Sequence, residues 1–459
     1  MKNVQYFTKG FLVVSVCLAL GACSNDDLLD LEQNKTQGES ITIAMEFIGD
    51  VVGFDQQSNG VKVQTRATSS SWTNGDKIYI TFYNGSDMVP GEATYNSSSG
   101  WSVSYDGTLG TGSNLKCEAR YFVNATFSSS SLVSLNSNTE IYEDLNGTYD
   151  YSNGSLIVQA SLTPKTGRIR FTGTSGEKIY TTGFSVYTTF APANNQFSTS
   201  NAMITSTVAT NGSTPYIYGT FSDSDRNIGL IGSDFAYTRT CTSDMLNAGD
   251  SGYMAIPSES SHNNWRTGLY VKVSEVEFKM IPVAGYSEGF FLIGETEVTE
   301  ALYNSINGSN SSSLLPKSNI SFNSMLSFIE KLNNTTKLSF NLPSSGQWKY
   351  AAKGGKKSQN YTYAGSNTTG DVAWYAANSN TKQNVKTKAP NELGIYDMSG
   401  NVEEMTTEIY ASGSYYYYNY YGGSYLSPSS NCLITTRNGS QREDVCNTNV
   451  GFRLILTCQ

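Results

Sequence analysis

The sequence predicts a mostly β, multi-domain chain: two β-sandwiches followed by an α+β domain. Three observations predict it. The chain has 459 residues, more than a single core usually organises. Only 15% of residues are charged, and glycine (42) and tyrosine (31) are abundant, a composition of strands joined by many turns. Finally, residues 40–278 show two-residue alternation without a long amphipathic helix, whereas helical periodicity begins beyond them.

The N-terminus is a targeting segment. Lys2 and Lys9 precede the apolar run 11–22, which is too short to cross a bilayer. It ends in Leu20-Gly21-Ala22-Cys23, which resembles a bacterial lipoprotein cleavage box. That resemblance implies a signal peptide at 1–22 and lipidation of the Cys23 thiol. An ordinary signal peptide with a chance cysteine is the alternative. Residues 23–39 form an acidic tether. Its start, Ser24-Asn25-Asp26-Asp27, resembles the surface-export signal of Bacteroidetes lipoproteins. It implies a protein held at the outer membrane, on the cell surface, by a lipid anchor.

The first sandwich is expected over 40–152 and the second over 153–278. Ile41, Ile43, Met45 and Phe47 alternate with Thr42, Ala44 and Glu46, as do Ile78, Ile80 and Phe82 along the next strand and Ile169 and Phe171 in the second domain. Gln64-Thr65-Arg66-Ala67-Thr68, Trp72, Gly75-Asp76-Lys77-Ile78, the run 162–171 (LTPKTGRIRF) and 253–257 (YMAIP) resemble Bacteroidetes fimbrillin-like proteins. The resemblance implies stacked sandwiches, other fimbrillin subunits as partners, and either a place in a pilus, its tip included, or the role of a lipidated accessory subunit. Arg66 is then either a trypsin-like processing site or part of an exposed strand edge.

The C-terminal domain is expected over 279–459. Met325, Phe328, Ile329 and Leu332 share one helical face. Ser344 and Gln347 have capping-box spacing after Pro343, before a short helix burying Trp348, Ala351 and Ala352 and stopping at Gly354-Gly355. Residues 342–352 (LPSSGQWKYAA), 391–405 (NELGIYDMSGNVEEM) and Gly451-Phe452-Arg453-Leu454 resemble the formylglycine-generating-enzyme-like, or sulfatase-modifying-factor, family, whose fold is a variant of the C-type lectin. This family includes copper oxidases and catalytically empty binding domains. The oxidases use two cysteines five positions apart, shortly before Gly-Phe-Arg, because soft thiolates select copper(I). Here the window holds Cys432 alone, with Ser427 and Arg437 five positions away. The resemblance therefore implies a non-catalytic domain, with Cys432 and Cys446 either bridged or buried as thiols. It also implies calcium as a cofactor, held by Asp397 and Glu404 side chains and the carbonyls of Gly400 and Val402. The alternative is a metal-free Gly400-Asn401 turn capped by Glu404.

No charged residue lies between Glu408 and Arg437, and residues 410–431 contain eight tyrosines, six serines and two asparagines. Tyrosine offers a large amphipathic contact area at low entropic cost, and Ser, Gly and Asn adapt their hydrogen bonds, as in antibody paratopes. Four consecutive tyrosines on one strand must point to both faces, so at least two are expected in solvent. The expected binding residues are Tyr415, Tyr416, Tyr417, Tyr418, Tyr420, Leu426, Ser427, Ser429 and Ser430, extended by Thr436, Asn438 and Ser440. The blocks Tyr421-Gly422-Gly423-Ser424-Tyr425, Arg437-Asn438 and 449–453 (NVGFR) resemble the variable region of lectin-fold proteins diversified by retroelements. The implied ligand is a protein or a glycan.

Composition limits the rivals. A net charge of −9 argues against nucleic acid, whose phosphates need clustered Lys and Arg. The single histidine, His262, removes His-based zinc, facial-triad iron and Ser-His-Asp chemistry. The reading is an adhesin-like surface lipoprotein. The alternatives are a formylglycine-generating-type oxidase on a surface anchor and a structural pilus subunit.

Overall fold

A computed structural model describes residues 41–48, 55–58, 61–64, 72–123, 125–129, 132–241, 246–257 and 264–458. Cys23, Arg66 and His262 lie outside the described residues. The chain is mostly β and multi-domain, and among the described residues helices are confined almost entirely to its C-terminal part.

In the first domain the alternating strands do not stop at an open sandwich. Ile41–Ile48, Gly100–Tyr105, Asp87–Asn96, Lys77–Asn84, Gly112–Val123, Glu140–Ser152 and Ser155–Gln159 pair in that order, and the last pairs with the first. The ring is a closed barrel, which removes sheet edges. The closing strand runs antiparallel to Gly100–Tyr105 and parallel to Ser155–Gln159, with Met45 opposite Leu156. Ile78, Ile80, Phe82, Val103, Tyr149 and Val158 fill the interior. The expected boundary at 152/153 falls in a hairpin turn. Asn153 and Gly154 have φ of 51° and 75°, the pair of positive angles that a two-residue type I′ turn requires. The following strand completes the barrel, so this domain extends past residue 152.

The second domain is a sandwich. One sheet includes Gly167–Thr172, Phe184–Ala191, Ile217–Phe221 and Asp250–Ala255; the other includes Lys178–Thr182, Ile204–Thr207, Asn227–Ile231 and Ala236–Thr240. Phe171, Phe184 and Ile217 from one face meet Ile179, Ile228 and Leu230 from the other. Strands cross between domains. The hairpin Asp55–Ser58 and Val61–Gln64 extends the first sheet beside Asp250–Ala255, and Leu132–Ser134 pairs with Phe184–Ala191. Phe122, Phe190 and Phe197 pack across the seam, with ring centroids 4.8–6.1 Å apart.

The C-terminal domain combines two small sheets with helices. One sheet orders Leu269–Val273, Val276–Val283, Phe291–Gly294, Ile455–Leu456 and Phe340–Asn341; the other orders Arg437–Arg442, Tyr415–Tyr421, Glu403–Ser412 and Val450–Phe452. The expected boundary at 278/279 therefore cuts a strand, and the domain begins about ten residues earlier, with its first strand at Leu269. The helix Phe322–Thr336 buries Met325, Phe328, Ile329 and Leu332 on the expected face. The helix Ser345–Ala352 starts with both capping-box bonds of Ser344 and Gln347, and buries Trp348, Ala351 and Ala352. Gly354, at φ 90°, ends this segment. Tyr180, Ile231 and Ala236 of the sandwich share one apolar cluster with Leu269, Val271 and Leu292. The last domain is thus seated on the second.

Candidate functional site

The tyrosine run forms one arm of a hairpin. Glu403–Ser412 pairs antiparallel with Tyr415–Tyr421, placing Ser412 opposite Tyr415, Tyr410 opposite Tyr417 and Glu404 opposite Tyr421. Only Gly413 and Ser414 lie between the arms. Gly413 has φ 63°, fitting the first position of a type II′ loop. Burial falls steadily towards this tip. Residues 403–406 are buried and 408–412 exposed; on the other arm Asn419 and Tyr421 are buried, while Tyr415 and Tyr416 are exposed.

At the base, a charged cluster fixes the hairpin. Arg453 and Glu404 are both fully buried and form an ion pair at 2.6 Å. The Arg453 Nε also donates to Glu404, at 3.0 and 3.1 Å, and its remaining donors reach the Gly294 and Tyr396 carbonyls at 2.9 and 2.7 Å. Trp348 Nε1 donates to Glu404 Oε2 at 2.7 Å. The motif spacing serves this arrangement: the helix Ser345–Ala352 supplies Trp348, the strand Glu403–Ser412 supplies Glu404, and the segment just after Val450–Phe452 supplies Arg453. Asn391 braces it, donating to the Ala351 and Ala352 carbonyls and accepting from Leu393 and Ile395 N–H groups.

The calcium set does not fit these contacts. Both Glu404 oxygens accept from Arg453 or Trp348, so a cation would compete with a buried guanidinium. Asp397 Oδ2 accepts from Lys386 N–H at 2.7 Å. Val402 N–H donates to Glu297, and Gly400, at φ 80°, packs so tightly that a Cβ would sit 2.4 Å from the Trp374 carbonyl oxygen. Burial, then the Asp397 and Glu404 charges, hold the Glu297 carboxyl well above its usual range. Burial also pushes Asp397 up to about 6, against the Lys386 N–H and Arg453. Glu403 is pushed by burial to about 7.

Neither expectation for the cysteine pair is met in full. Cys432 is buried and unbridged, and Cys446 is exposed and unbridged. Burial first, then Glu403, pushes the Cys432 thiol up to about 12.

The expected binding residues separate into three groups. Tyr415 (46% exposed), Tyr416 (49%), Leu426 (53%) and Ser430 face solvent. Tyr417, Ser429, Thr436, Asn438 and Ser440 are half-buried. Tyr417 stacks on Tyr410 at 5.2 Å, and Asn438 ties strand to loop through the Asn431 carbonyl and Gly423 N–H. Tyr418 and Tyr420, also half-buried, and the buried Ser427 make contacts inside the domain. Tyr418 stacks on Phe322, and both tyrosines pack against the main apolar cluster. Ser427 is buried, and its Oγ accepts from Ser424 N–H at 3.0 Å. The seven-residue strand carries Tyr415 about 20 Å from Tyr421, so the hairpin tip and the 424–431 loop are separate surfaces. Tyr410 (44% exposed) and Ile409 (48%) join the tip from the facing arm. The sequence analysis missed them. The two-residue Gly413-Ser414 loop, which sets the register, was the signal that could have found them. Arg442 covers the Tyr415 ring at 4.3 Å.

Residues 268–458 match the family model described as a sulfatase-modifying factor enzyme 1-like domain. A curated relative, the chaperone protein LppX of Paenibacillus barcinonensis, is 44% identical over 87 residues, 15% of this chain and 31% of that protein. The chain thus spans about a third of that relative's length. Treponema denticola variable protein 1 aligns with 24% identity over 41% of this chain and 98% of its own, with a TM-score of 0.37. A fimbrial protein from Bacteroides ovatus aligns with 10% identity over 90% of this chain and 99% of its own, with a TM-score of 0.23.

Proposed function

We propose that this chain is an adhesin-like surface protein whose C-terminal domain binds a protein or glycan ligand without catalysis. The observation that carries the reading is the tip of the tyrosine hairpin. Tyr410 and Tyr415 on one face, and Ile409 and Tyr416 on the other, are exposed to solvent on a strand pair whose base is locked by Arg453 and Glu404. Exposed aromatic groups on a rigid support are what an interface uses as anchors. The site for oxidase chemistry is poor by comparison, with one buried thiol at the position where that chemistry uses a pair. The test is a binding screen of the full chain against glycans and cell-surface proteins. Binding abolished by Tyr415→Ala/Tyr416→Ala with an unchanged melt supports the reading; copper-dependent oxidation of a cysteine peptide, lost in Cys432→Ala, would replace it.

The rest of the chain presents this head. Acylation of Cys23 anchors it at the outer membrane, and Cys23→Ala should release a soluble or unprocessed form. Unchanged membrane attachment in that variant defeats the anchor. Cleavage after Arg66 would remove the strand Ile41–Ile48, whose pairing closes the first barrel. The two sheet edges left open would accept a strand from another fimbrillin subunit. N-terminal sequencing of assembled protein decides this: a mature start at Cys23 means an anchored accessory subunit. Diversification by a retroelement would leave, beside the gene, a near-repeat of the region encoding residues 415–453, with mismatches confined to template adenines.

A further inference from the structure

The first arm of the tyrosine hairpin ends in an open strand edge. Near the base its outer side is covered. Val450–Phe452 pairs with Glu403, Glu404 and Met405, and Thr407 N–H donates to the Pro343 carbonyl at 2.9 Å. Beyond Thr407 that cover stops. Among the described residues no strand pairs with the outer side of residues 408–412, and all five are exposed.

The register fixes where the backbone groups of this edge point. The Tyr416 carbonyl accepts from Glu443 N–H at 3.2 Å. Tyr416 therefore turns its polar backbone towards the segment 437–443 and away from Ala411, the residue opposite it on the first arm. Ala411 sits in a non-hydrogen-bonded pair and directs its own N–H and C=O outwards. Ile409, two residues along and opposite Tyr418, does the same. Four backbone groups thus face solvent in one row, with a repeat of ~6.8 Å. Such edges are usually guarded by a lysine, a proline or a covering segment. Residues 409–412, Ile-Tyr-Ala-Ser, carry none of these. Glu408, at the start of the open stretch, accepts from the Ser345 and Tyr421 hydroxyls.

We infer that the ligand of this domain is an extended, uncharged segment of another protein, added as a strand to the edge at residues 409–412. A strand matches both features of the tip. Its main chain supplies partners for the row of N–H and C=O groups. Its alternating side chains fall on the two faces, beside Tyr410 and Tyr415 on one and Ile409 and Tyr416 on the other. A glycan can stack on the rings but has no amide donors and carbonyls at strand spacing. The inference rests on the ligand-binding reading of the hairpin tip and names the class of ligand.

Ala411→Pro is the direct test. It removes an N–H that the hairpin ladder does not use, so the melt should hold while an added strand loses a donor. The full chain is screened against a displayed library of random linear peptides and against neutral and sialylated glycans. Deuterium exchange of single amides is then followed by mass spectrometry with the tightest peptide bound. Linear peptides should bind. The Ile409 and Ala411 amides, fast in the free chain, should slow about tenfold or more. Ala411→Pro should weaken binding about tenfold, and Ala411→Thr should not. Exchange in the unaltered chain reads the edge even if Ala411→Pro unfolds. Three outcomes overturn the inference: binding of glycans alone, peptide binding that leaves both amides fast, or slow exchange of both amides in the free chain through pairing between copies. A ligand lost in Tyr415→Ala/Tyr416→Ala but kept by a folded Ala411→Pro retains the tip as the binding surface and removes the strand. A ligand indifferent to both variants removes the tip as well, so the two failures are distinguishable.

Discussion

The base and the tip of one hairpin use similar residues for opposite purposes. At the base, Tyr421 is 2% exposed and stacks on Trp348 with centroids 5.5 Å apart. At the tip, six residues earlier, Tyr415 is nearly half exposed. Nothing in the local chemistry of tyrosine separates them. The difference is what approaches from elsewhere in the chain: Trp348, Phe322 and the Gly-Phe-Arg strand at the base, and solvent at the tip. The comparison teaches that rigidity and display are divided along the hairpin's length, with a buried ion pair holding what the exposed rings present.

The largest effect should come from breaking the base. Arg453→Met leaves Glu404 as an uncompensated buried charge and should cost about 3–5 kcal/mol of stability, seen as a large fall in the thermal midpoint. Binding at the tip should fail with it. Next is the tip itself. Tyr415→Ala/Tyr416→Ala should weaken ligand binding about a thousandfold, about 4 kcal/mol, while the melt stays within about 0.5 kcal/mol of the wild type. Tyr421→Ala should instead lose about 3 kcal/mol or more of stability by opening a cavity against Trp348. Equal unfolding of the tip and base variants would erase the distinction between them.

A smaller effect concerns pH. Glu403 and Asp397 have folded pKa values raised to about 7 and about 6. A carboxyl with a raised folded value binds its proton more tightly in the native state, so its contribution is full below the unfolded value. It is lost as pH rises through the folded value. These two groups should therefore lower stability progressively between about pH 4 and pH 7. Glu403→Gln should raise stability at pH 8 by on the order of 2 kcal/mol, read from the melt, and make no difference near pH 4. A constant gain at both pH values would show that the carboxyl's ionisation is not the cause. The smallest effect is expected at Ser427. Ser427→Ala removes the acceptor for Ser424 N–H and should cost about 1 kcal/mol of stability, with binding at the tip unchanged. A selective loss of binding would return Ser427 to the ligand surface.

What the sequence determined by itself was local. The capping box at Ser344 and Gln347, the buried face of Phe322–Thr336, the alternating strands and the solvent exposure of at least two tyrosines all follow from spacings of two to four residues. These geometries are set by the backbone and need no distant partner. Tertiary structure decided the rest. It closed the first barrel through a pairing between residues more than a hundred positions apart, and moved the last domain's start to Leu269. It gave Glu404 to Arg453 and Trp348 rather than to a cation, packed Tyr418 and Tyr420 against the main apolar cluster, and buried Ser427. It also left Gln441 Oε1 buried without a donor. The physical reason is common to these cases. A side chain's burial and hydrogen-bond partners depend on which distant segments fold against it, and that information is spread over the whole chain rather than carried by its neighbours in sequence.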